Sequence, residues 1–254
     1  MSIFSLKGRR VAVIGAASGI GAAVARGAAN EGAHVAALDV DEERLETLAR
    51  EIREAGGSAE WGRLDVRDRA DVEAALSKVD DLEGVVSTPG INVRKRVLDY
   101  SDEELDRVID VNLKGSFHVL QAAGRILAAR KSGSIVLFSS IRSLVVEPGQ
   151  SVYAATKAGI VQMVRGLAAE LGPSSVRVNA VAPGVVETPL TAPIKEKPEW
   201  YRAYAEKNAL RRWASAEEMV GPTLFLVSDA ASYVTGSVLF VDGGWTAVDG
   251  RFDP

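Results

Sequence analysis

Short apolar runs alternate with longer amphipathic segments along almost the whole chain. The apolar runs are rich in valine, isoleucine and alanine, and they predict strands at 11–15, 34–39, 58–64, 84–87, 134–139, 176–182 and 237–241. The segments between them repeat apolar residues with the period of a helix. They predict helices at 19–31, 41–55, 67–78, 101–129, 150–172 and 214–227.

This alternation of strands and helices indicates parallel β-α-β units. Strands that are apolar on both faces are typical of a sheet covered by helices on both sides. We therefore predict one α/β domain over residues 1–254, with a doubly wound, seven-stranded parallel sheet. A chain of 254 residues can bury roughly three quarters of its unfolded surface, so it needs no metal or disulfide to fold.

The segment 183–208 breaks the alternation. It holds four prolines and a helical fragment that carries Trp200, Tyr201 and Tyr204. It leaves strand six at the carboxyl edge of the sheet, where ligands of doubly wound folds bind. Long irregular insertions are usually functional, so we predict a substrate lid at 183–208, with an ordinary surface excursion as the alternative.

Composition excludes several other classes of protein. The chain has no cysteine, which removes disulfides, thiolate nucleophiles and cysteine-bound zinc and fits a reducing cytoplasm. No signal peptide or membrane-length apolar run is visible. A net charge of −4 with mixed signs disfavours nucleic acid or an anionic membrane as partner. His34 and His118 lie in apolar stretches, so we interpret them as core residues and expect no metal site.

A glycine-rich turn follows the first predicted strand, in the order Gly15-Ala16-Ala17-Ser18-Gly19-Ile20-Gly21. Glycines let the backbone approach a pyrophosphate, and the N-terminus of the next helix offers it free N–H groups. The spacing differs from the common G-x-G-x-x-G fingerprint, but the strand–turn–helix context is the required one.

Asp39 ends the second predicted strand, where an acid can bind the adenosine ribose hydroxyls. It can also cap the helix that follows, and the two roles are compatible. A 2′-phosphate would need a cation nearby, whereas Ala16, Ala17 and Val40 are uncharged. The residues therefore favour NAD over NADP.

Tyr153 and Lys157 are four residues apart in a predicted helix, so their side chains share one face. An ammonium group near a phenol favours the phenolate and lowers its pKa, as general acid–base catalysis requires. By itself the pair could be ordinary helix surface.

Several further motifs occur along the chain in a definite order. They are the glycine turn, Asp39, Asp65-Val66, Asn112 in Val-Asn-Leu-Lys-Gly, Ser140 after Ile-Val-Leu-Phe-Ser, Tyr153-x-x-x-Lys157, Asn179-Ala-Val-Ala-Pro-Gly184, Glu187-Thr188-Pro189 and Val241-Asp-Gly-Gly-Trp245. In this order and spacing the chain resembles the short-chain dehydrogenase/reductase family over nearly its whole length. The resemblance implies a Rossmann-type domain and an NAD-dependent enzyme.

The resemblance also implies roles for individual residues. Tyr153 would exchange a proton with the substrate oxygen, Lys157 would lower the Tyr153 pKa and hold the nicotinamide ribose, and Ser140 would orient the carbonyl or alcohol. Asn112 would kink the fourth helix and hold a water molecule. The implied cofactor-binding residues are Gly15, Ser18, Gly19, Ile20, Gly21, Asp39, Asp65, Val66, Gly90, Tyr153, Lys157, Pro183, Gly184, Val186 and Thr188.

Three positions depart from the family pattern. Ile14 replaces a threonine whose hydroxyl stabilises the glycine turn. Ser87-Thr88-Pro89-Gly90 replaces Asn-Asn-Ala-Gly, and Pro89 lacks an N–H group. Ile141-Arg142-Ser143 replaces a small turn that contains glycine, so Arg142 projects near Ser140.

These arginines suggest a class of substrate. Arg142 and the cluster Arg94-Lys95-Arg96 follow two strands at the catalytic edge, and a guanidinium recognises carboxylates through two hydrogen bonds. We expect Arg94, Arg142 and Gln150 to contact substrate, although solvated loop charges are an equal alternative for the arginines. Asn-x-Arg and the terminal Asp-Gly-Gly-Trp also resemble the sugar-acid and polyol dehydrogenase branch.

The expected function is hydride transfer between NAD(H) and a secondary alcohol or ketone such as a sugar, sugar acid or polyol. A 3-oxoacyl-carrier-protein reductase is an alternative within the fold, and a non-catalytic NAD-binding sensor or scaffold is an alternative outside catalysis. The helices at 101–129 and 150–172 carry more apolar positions than one sheet face needs, so we also expect a homo-oligomer, specifically a tetramer.

Overall fold

The seven predicted strands all form and pair in parallel. The structure, a computed structural model, describes residues 2–249. One sheet has the strand order β3-β2-β1-β4-β5-β6-β7. Its members are β1 (Arg10–Ile14), β2 (His34–Asp39), β3 (Ser58–Arg63), β4 (Leu82–Ser87), β5 (Gly133–Phe138), β6 (Val176–Pro183) and β7 (Val238–Val241). The predicted doubly wound parallel sheet is therefore confirmed.

Helices cover both faces of this sheet. In chain order, the helices are α1 (Gly19–Asn30), α2 (Glu42–Glu54), α3 (Arg69–Ser77), α4 (Asp102–Ile109), α5 (Gly115–Arg130), α6 (Ser151–Leu171), α7 (Ala192–Lys195), α8 (Pro198–Lys207) and α9 (Val220–Val227). Of these, α7 and α8 belong to the segment 183–208 and lie apart from the sheet faces. The helix predicted at 214–227 begins only at Val220, after a 3₁₀ turn at Glu217–Met219. Pro222 lies in its first turn, where a missing N–H costs no helical hydrogen bond.

Alternate residues of the central strands enter two separate cores. Val11 and Val13 of β1 pack with α1, α2 and α9, whereas Ala12 and Ile14 pack with α3, α5 and α6. The period of two along a strand explains this division. Since both faces of the central strands are buried, these strands need apolar residues at nearly every position, which is why the sequence pattern located them.

The long helix predicted at 101–129 is interrupted. A capping box between Ser101 and Glu104 starts α4, and a π-helical turn at Asp110–Lys114 then separates α4 from α5. The extra residue of a π turn changes the direction of a helix and often marks a functional site. Asn112 lies inside this turn, so the helix is interrupted at the position where the kink was predicted.

One prediction about the histidines was wrong. His34 is exposed at the start of β2, where its Nδ1 lies 2.9 Å from Ser58 Oγ. His118 is half-buried, and its Nδ1 lies 2.9 Å from the Val66 carbonyl oxygen. The apolar neighbours of His34 belong to the strand interior, whereas His34 itself lies at the strand end.

The carboxyl ends of the central strands meet at one edge of the sheet. β1 lies between β2 and β4, so the chain reverses its direction of winding there and leaves a crevice. Gly15 follows β1, Ser140 follows β5, and Pro183 ends β6 at this edge. Within residues 2–249, no helix combines the length and apolar character that crossing a membrane requires.

Candidate active site

The glycine turn after β1 has no room for a side chain at Gly15 or at Gly21. Gly15 and Gly19 have φ values of +82° and +52°, in the left-handed region that favours glycine. A Cβ atom on Gly21 would lie 2.0 Å from the Gly15 carbonyl oxygen. The first turn of α1 carries no acidic residue, and no side chain caps it. Its N–H groups are therefore available to an anion such as a pyrophosphate.

A neighbouring strand supplies the hydroxyl that Ile14 lacks. Thr88 Oγ1 donates to the carbonyl oxygens of Ile14 (3.0 Å) and Gly15 (3.2 Å), and Thr88 N–H also donates to Ile14. The unusual Thr88-Pro89 pair thus braces the glycine turn from the end of β4. Sequence reasoning noted both departures, but only the pairing of β1 with β4 shows that they compensate each other.

Asp39 lies at the end of β2 and faces the same crevice. Its carboxylate accepts hydrogen bonds from the N–H groups of Ala17 (3.1 Å) and Val40 (2.7 Å). Asp41, not Asp39, caps α2 by accepting from the Arg44 N–H at 3.2 Å. The alternative role of Asp39 as a helix cap is therefore wrong.

A cavity of about 490 Å³ joins these features. Most of the predicted cofactor-binding residues line it, namely Gly15, Ser18, Gly19, Ile20, Gly21, Asp39, Asp65, Val66, Gly90 and Thr188. A tight glycine cradle, an uncapped helix N-terminus and an acid at the end of the second strand fit the pyrophosphate and ribose of a dinucleotide.

Five predicted cofactor-binding residues lie outside that wall. Gly184 and Tyr153 line a second cavity, and Lys157 is buried beside Gly90, where a Cβ atom would lie 3.2 Å from Lys157 Nζ. Pro183 ends β6, and Val186 is buried and forms a bridge with Ala214.

Asn112 is completely buried and ties three elements together. Its Oδ1 accepts from the Ile91 N–H at 2.8 Å, and its Nδ2 donates to the Ile91 carbonyl oxygen (2.9 Å) and Thr156 Oγ1 (3.2 Å). The π turn directs Asn112 at the loop after β4 and at α6. Its side chain therefore fixes the distance between that loop and the helix that carries Tyr153.

Ser140, Tyr153 and Lys157 converge at the carboxyl edge. Lys157 Nζ donates to the Phe138 carbonyl oxygen at 2.8 Å and lies 5.6 Å from the centre of the Tyr153 ring. Ser140 Oγ accepts from the Arg142 N–H at 3.1 Å. The spacing of four residues places Tyr153 and Lys157 on one helical face, as the sequence predicts.

Burial sets the proton affinities of this pair. It raises the pKa of Tyr153, against which a hydrogen bond from Ser140 and the charge of Arg142 act. Burial also lowers the pKa of Lys157 to about 8. The prediction that Lys157 lowers the Tyr153 pKa differs from this result, because desolvation dominates at Tyr153 and the ammonium group is directed at the Phe138 carbonyl.

Ser140 and Tyr153 line the second cavity, of about 510 Å³. Arg94, Arg142 and Gln150, the predicted substrate contacts, line it as well. Leu190 borders both cavities, so the two are adjacent. The segment 183–208 forms the opposite wall with residues of α7 and α8, including Ile194, Trp200 and Tyr204.

Glu147 is the residue of this region that sequence reasoning missed. Its Oε2 pairs with Arg142 Nη2 at 2.5 Å, and its Oε1 pairs with Arg94. Gln150 Nε2 (2.5 Å) and the Tyr204 hydroxyl also donate to Oε1. These donors hold the pKa of Glu147 below its usual range despite its burial. Glu147 stands in a loop without periodicity, so no sequence pattern distinguishes it.

Comparison with known proteins agrees with this architecture. A family model described as enoyl-(acyl carrier protein) reductase matches residues 15–246. The 3-oxoacyl-[acyl-carrier-protein] reductase FabG of Thermotoga maritima is 39% identical over 243 residues, which cover 94% of this chain and 98% of that protein. Galactitol 2-dehydrogenase (L-tagatose-forming) of Cereibacter sphaeroides is 37% identical over 253 residues, 96% of this chain and 98% of that protein.

A solved structure is similarly close. The gluconate 5-dehydrogenase from Burkholderia cenocepacia J2315, in complex with NADP and tartrate, superposes with a TM-score of 0.93 at 33% identity. The alignment covers 96% of this chain and 98% of that one. The chain therefore belongs to the short-chain dehydrogenase/reductase family. It is an oxidoreductase that binds a nicotinamide cofactor and acts on a small molecule, as the sequence predicts, and not a non-catalytic scaffold.

Proposed function

We propose that this enzyme transfers a hydride between NAD(H) and the carbinol carbon of a polyhydroxylated or anionic secondary alcohol. The observation that carries the proposal is the adjacency of the two cavities, one built around the glycine turn and the other around Ser140 and Tyr153. A dinucleotide in the first cavity would extend toward the second at their common border. A bound nicotinamide supplies the hydride acceptor or donor.

The chain supplies the proton chemistry and the positioning. Tyr153 removes the hydroxyl proton in oxidation and returns it in reduction, while Ser140 hydrogen-bonds to the same oxygen. Lys157, whose Nζ lies beside Gly90, would hold the ribose. Asn112 binds the backbone at Ile91 and so fixes that loop relative to α6. The remaining proposed cofactor contacts are those that line the first cavity, with Pro183, Gly184 and Val186 at the end of β6.

Charged and polar groups on the second cavity support a polar substrate. Arg94, Arg142 and Gln150 line it, and the single charge of Glu147 offsets only one of the two guanidinium charges. A screen of sugar acids, polyols, cyclic alcohols and hydroxysteroids with NAD, followed by NADH absorbance, tests this proposal. Turnover of none of the sugar acids or polyols, with turnover of the apolar alcohols, would contradict it.

A 3-oxoacyl-carrier-protein reductase is a second candidate. The name of the T. maritima relative and the description of the family model favour it. Against it stand the ionic groups on the cavity wall, which an apolar acyl chain would have to desolvate. Reduction of a 3-oxoacyl thioester at a higher kcat/KM than any sugar-acid ketone would favour this candidate.

We expect NAD to be preferred over NADP. Asp39 would repel a 2′-phosphate, and Arg67, the cation on the same cavity wall, is held by Asp65 at 2.6 Å. Replacing Asp39 by alanine should therefore narrow the NAD-to-NADP ratio of kcat/KM by about tenfold or more. Asp41→Ala is the matched control, since Asp41 caps α2 and is not on this wall. A wild-type preference for NADP would refute the assignment.

Arg94 should contribute to the binding of charged substrates. Its guanidinium already pairs with Glu147 and donates to the Tyr204 hydroxyl at 3.0 Å, which holds it in place on the cavity wall. Arg94→Gln should raise KM for a sugar acid by about tenfold and change KM for the corresponding neutral polyol much less. Arg96→Gln, at an exposed position two residues away, is the control. If Arg94→Gln raised KM equally for both substrates, Arg94 would have a structural role only.

We further propose a homotetramer. Leu98 is 96% exposed and Phe117 on α5 is 48% exposed, which leaves apolar surface for contacts between subunits. Sedimentation should give a mass of about four chains, whereas a mass of 26.9 kDa at micromolar concentration would contradict the homotetramer.

We also propose that the segment 183–208 acts as a lid over the second cavity. The cytoplasmic location expected from the cysteine-free sequence stays a prediction.

A further inference from the structure

A buried guanidinium lies beside the reacting pair. Arg142 is only 7% exposed, and it lines the cavity that Ser140 and Tyr153 line. The Arg142 backbone N–H donates to Ser140 Oγ at 3.1 Å, so Ser140 Oγ acts as an acceptor there. The Ser140 hydroxyl donates its own proton to the phenol oxygen of Tyr153. Both the charge and the orientation of Ser140 therefore favour negative charge on the Tyr153 oxygen.

Glu147 acts in the opposite sense. Its carboxylate pairs with Arg142 at 2.5 Å and reduces the positive potential that Arg142 exerts on its surroundings. The carboxylate is fixed, because Arg94, Gln150 and Tyr204 also donate to it. The electrostatic field at Tyr153 thus depends on the pairing of Glu147 with Arg142.

Lys157 alone is poorly suited to stabilising the Tyr153 phenolate at alkaline pH, where alcohol oxidation is favoured. Burial lowers its pKa to about 8, so its positive charge is lost above that value. A guanidinium stays protonated at every pH at which the protein is folded. Arg142, like Arg94 on the same cavity wall, therefore keeps a positive charge near the phenol.

We propose that Arg142 and Glu147 are positioning residues that set the proton affinity of Tyr153 with opposite signs, the guanidinium favouring the phenolate and the carboxylate opposing it. The proposal deepens the proposed function, because it rests on Tyr153 as the acid–base group. Arg142 then has two roles. It contacts the substrate, and it also acts on the reaction through Tyr153.

Other charged and titratable groups near Tyr153 also contribute to the electrostatic potential at its hydroxyl. They come from its own helix, from the loop after β4 and from the segment 183–208, and they are Lys157, Arg94, Glu196, Lys197 and Tyr204. These groups are the same in every variant compared, because only Arg142 and Glu147 are substituted. Their contribution therefore cancels in the differences between variants.

The test is an ultraviolet titration of tyrosinate absorbance, which needs neither cofactor nor substrate. The chain has five tyrosines, so each variant is titrated with and without Tyr153→Phe and the difference isolates Tyr153. We expect Glu147→Gln to lower the Tyr153 pKa and Arg142→Gln to raise it, each by about one unit. The double variant Arg142→Gln/Glu147→Gln should return close to the wild-type value.

A structural role would give a different result. If the substitutions only loosened the site, water would reach Tyr153, the effect of burial would fade, and both single variants would lower its pKa. A downward shift in Arg142→Gln, or no shift in either variant, overturns the proposal. Arg142→Lys keeps the charge and should stay near the wild-type value, so a shift as large as that of Arg142→Gln would also overturn it.

Folding is checked by near-ultraviolet circular dichroism. If Arg142→Gln does not fold, Glu147→Gln and Arg142→Lys decide the matter together. An electrostatic role lowers the Tyr153 pKa in the first and preserves it in the second, whereas loosening of the site lowers it in both. Failure of the proposed reaction is distinguishable, because it would appear as absent turnover while the titration shifts persist.

Discussion

Replacing Tyr153 by phenylalanine is expected to lower kcat for alcohol oxidation by about 10²–10⁴-fold, the usual contribution of a positioned acid–base group. The change keeps the ring on α6 and removes only the hydroxyl, so NADH should bind with nearly unchanged affinity. Steady-state kinetics on a confirmed substrate and a fluorescence titration with NADH measure the two effects separately. Near-full activity in Tyr153→Phe would disprove the mechanism.

Controls for this prediction come from the same chain. Tyr233→Phe, at a fully exposed tyrosine, should leave kcat unchanged. Lys157→Ala should lower kcat and also weaken NADH binding, because Lys157 Nζ lies against the loop at Gly90 where the ribose would be held. If Lys157→Ala bound NADH as tightly as the wild type, Lys157 would have no ribose contact.

The pH dependence of oxidation follows from the raised pKa of Tyr153. Burial disfavours the phenolate, which is the form that accepts the hydroxyl proton, so the protonated form dominates at neutral pH. The rate of oxidation should therefore increase as the pH rises toward that pKa, whereas reduction, which needs the protonated phenol, should slow. A flat profile for oxidation would indicate that Tyr153 does not carry the proton.

Replacing Gly21 by alanine should damage cofactor binding and stability together. The added methyl group would lie 2.0 Å from the Gly15 carbonyl oxygen and 2.8 Å from Thr88 Oγ1. Both the glycine turn and the end of β4 would have to shift. We expect a loss of about 1–3 kcal/mol in the free energy of unfolding. Loss of one backbone hydrogen bond to a phosphate should also weaken NADH binding by about tenfold or more.

Gly166 offers a matched comparison in α6. A Cβ atom there has no neighbour within 4 Å, so Gly166→Ala should stabilise the protein by about 0.5–1 kcal/mol through helix propensity alone. Chemical denaturation and NADH titration of both variants measure the contrast. Equal effects of Gly21→Ala and Gly166→Ala would show that the glycine turn tolerates a side chain.

The order of strands and helices was predictable because a fully covered parallel sheet requires continuous apolar strands. The glycine turn and the Tyr153–Lys157 pair were predictable because each is local. Glycines are needed where backbone atoms nearly touch, and a spacing of four residues places two side chains on one helical face. The kink at Asn112 was also expected, although only from the resemblance to the family.

The tertiary structure decided what depends on contacts between distant segments. Thr88 compensates for Ile14 because β4 pairs with β1. Glu147 links Arg94, Arg142 and Tyr204 because the loops after β4 and β5 and the helix α8 meet there. The directions of the pKa shifts of Tyr153 and Lys157 depend on burial, which a spacing of residues does not express. The sequence by itself thus determined the fold and the candidate site residues, whereas three-dimensional packing decided their electrostatic surroundings, because desolvation and charge act through space.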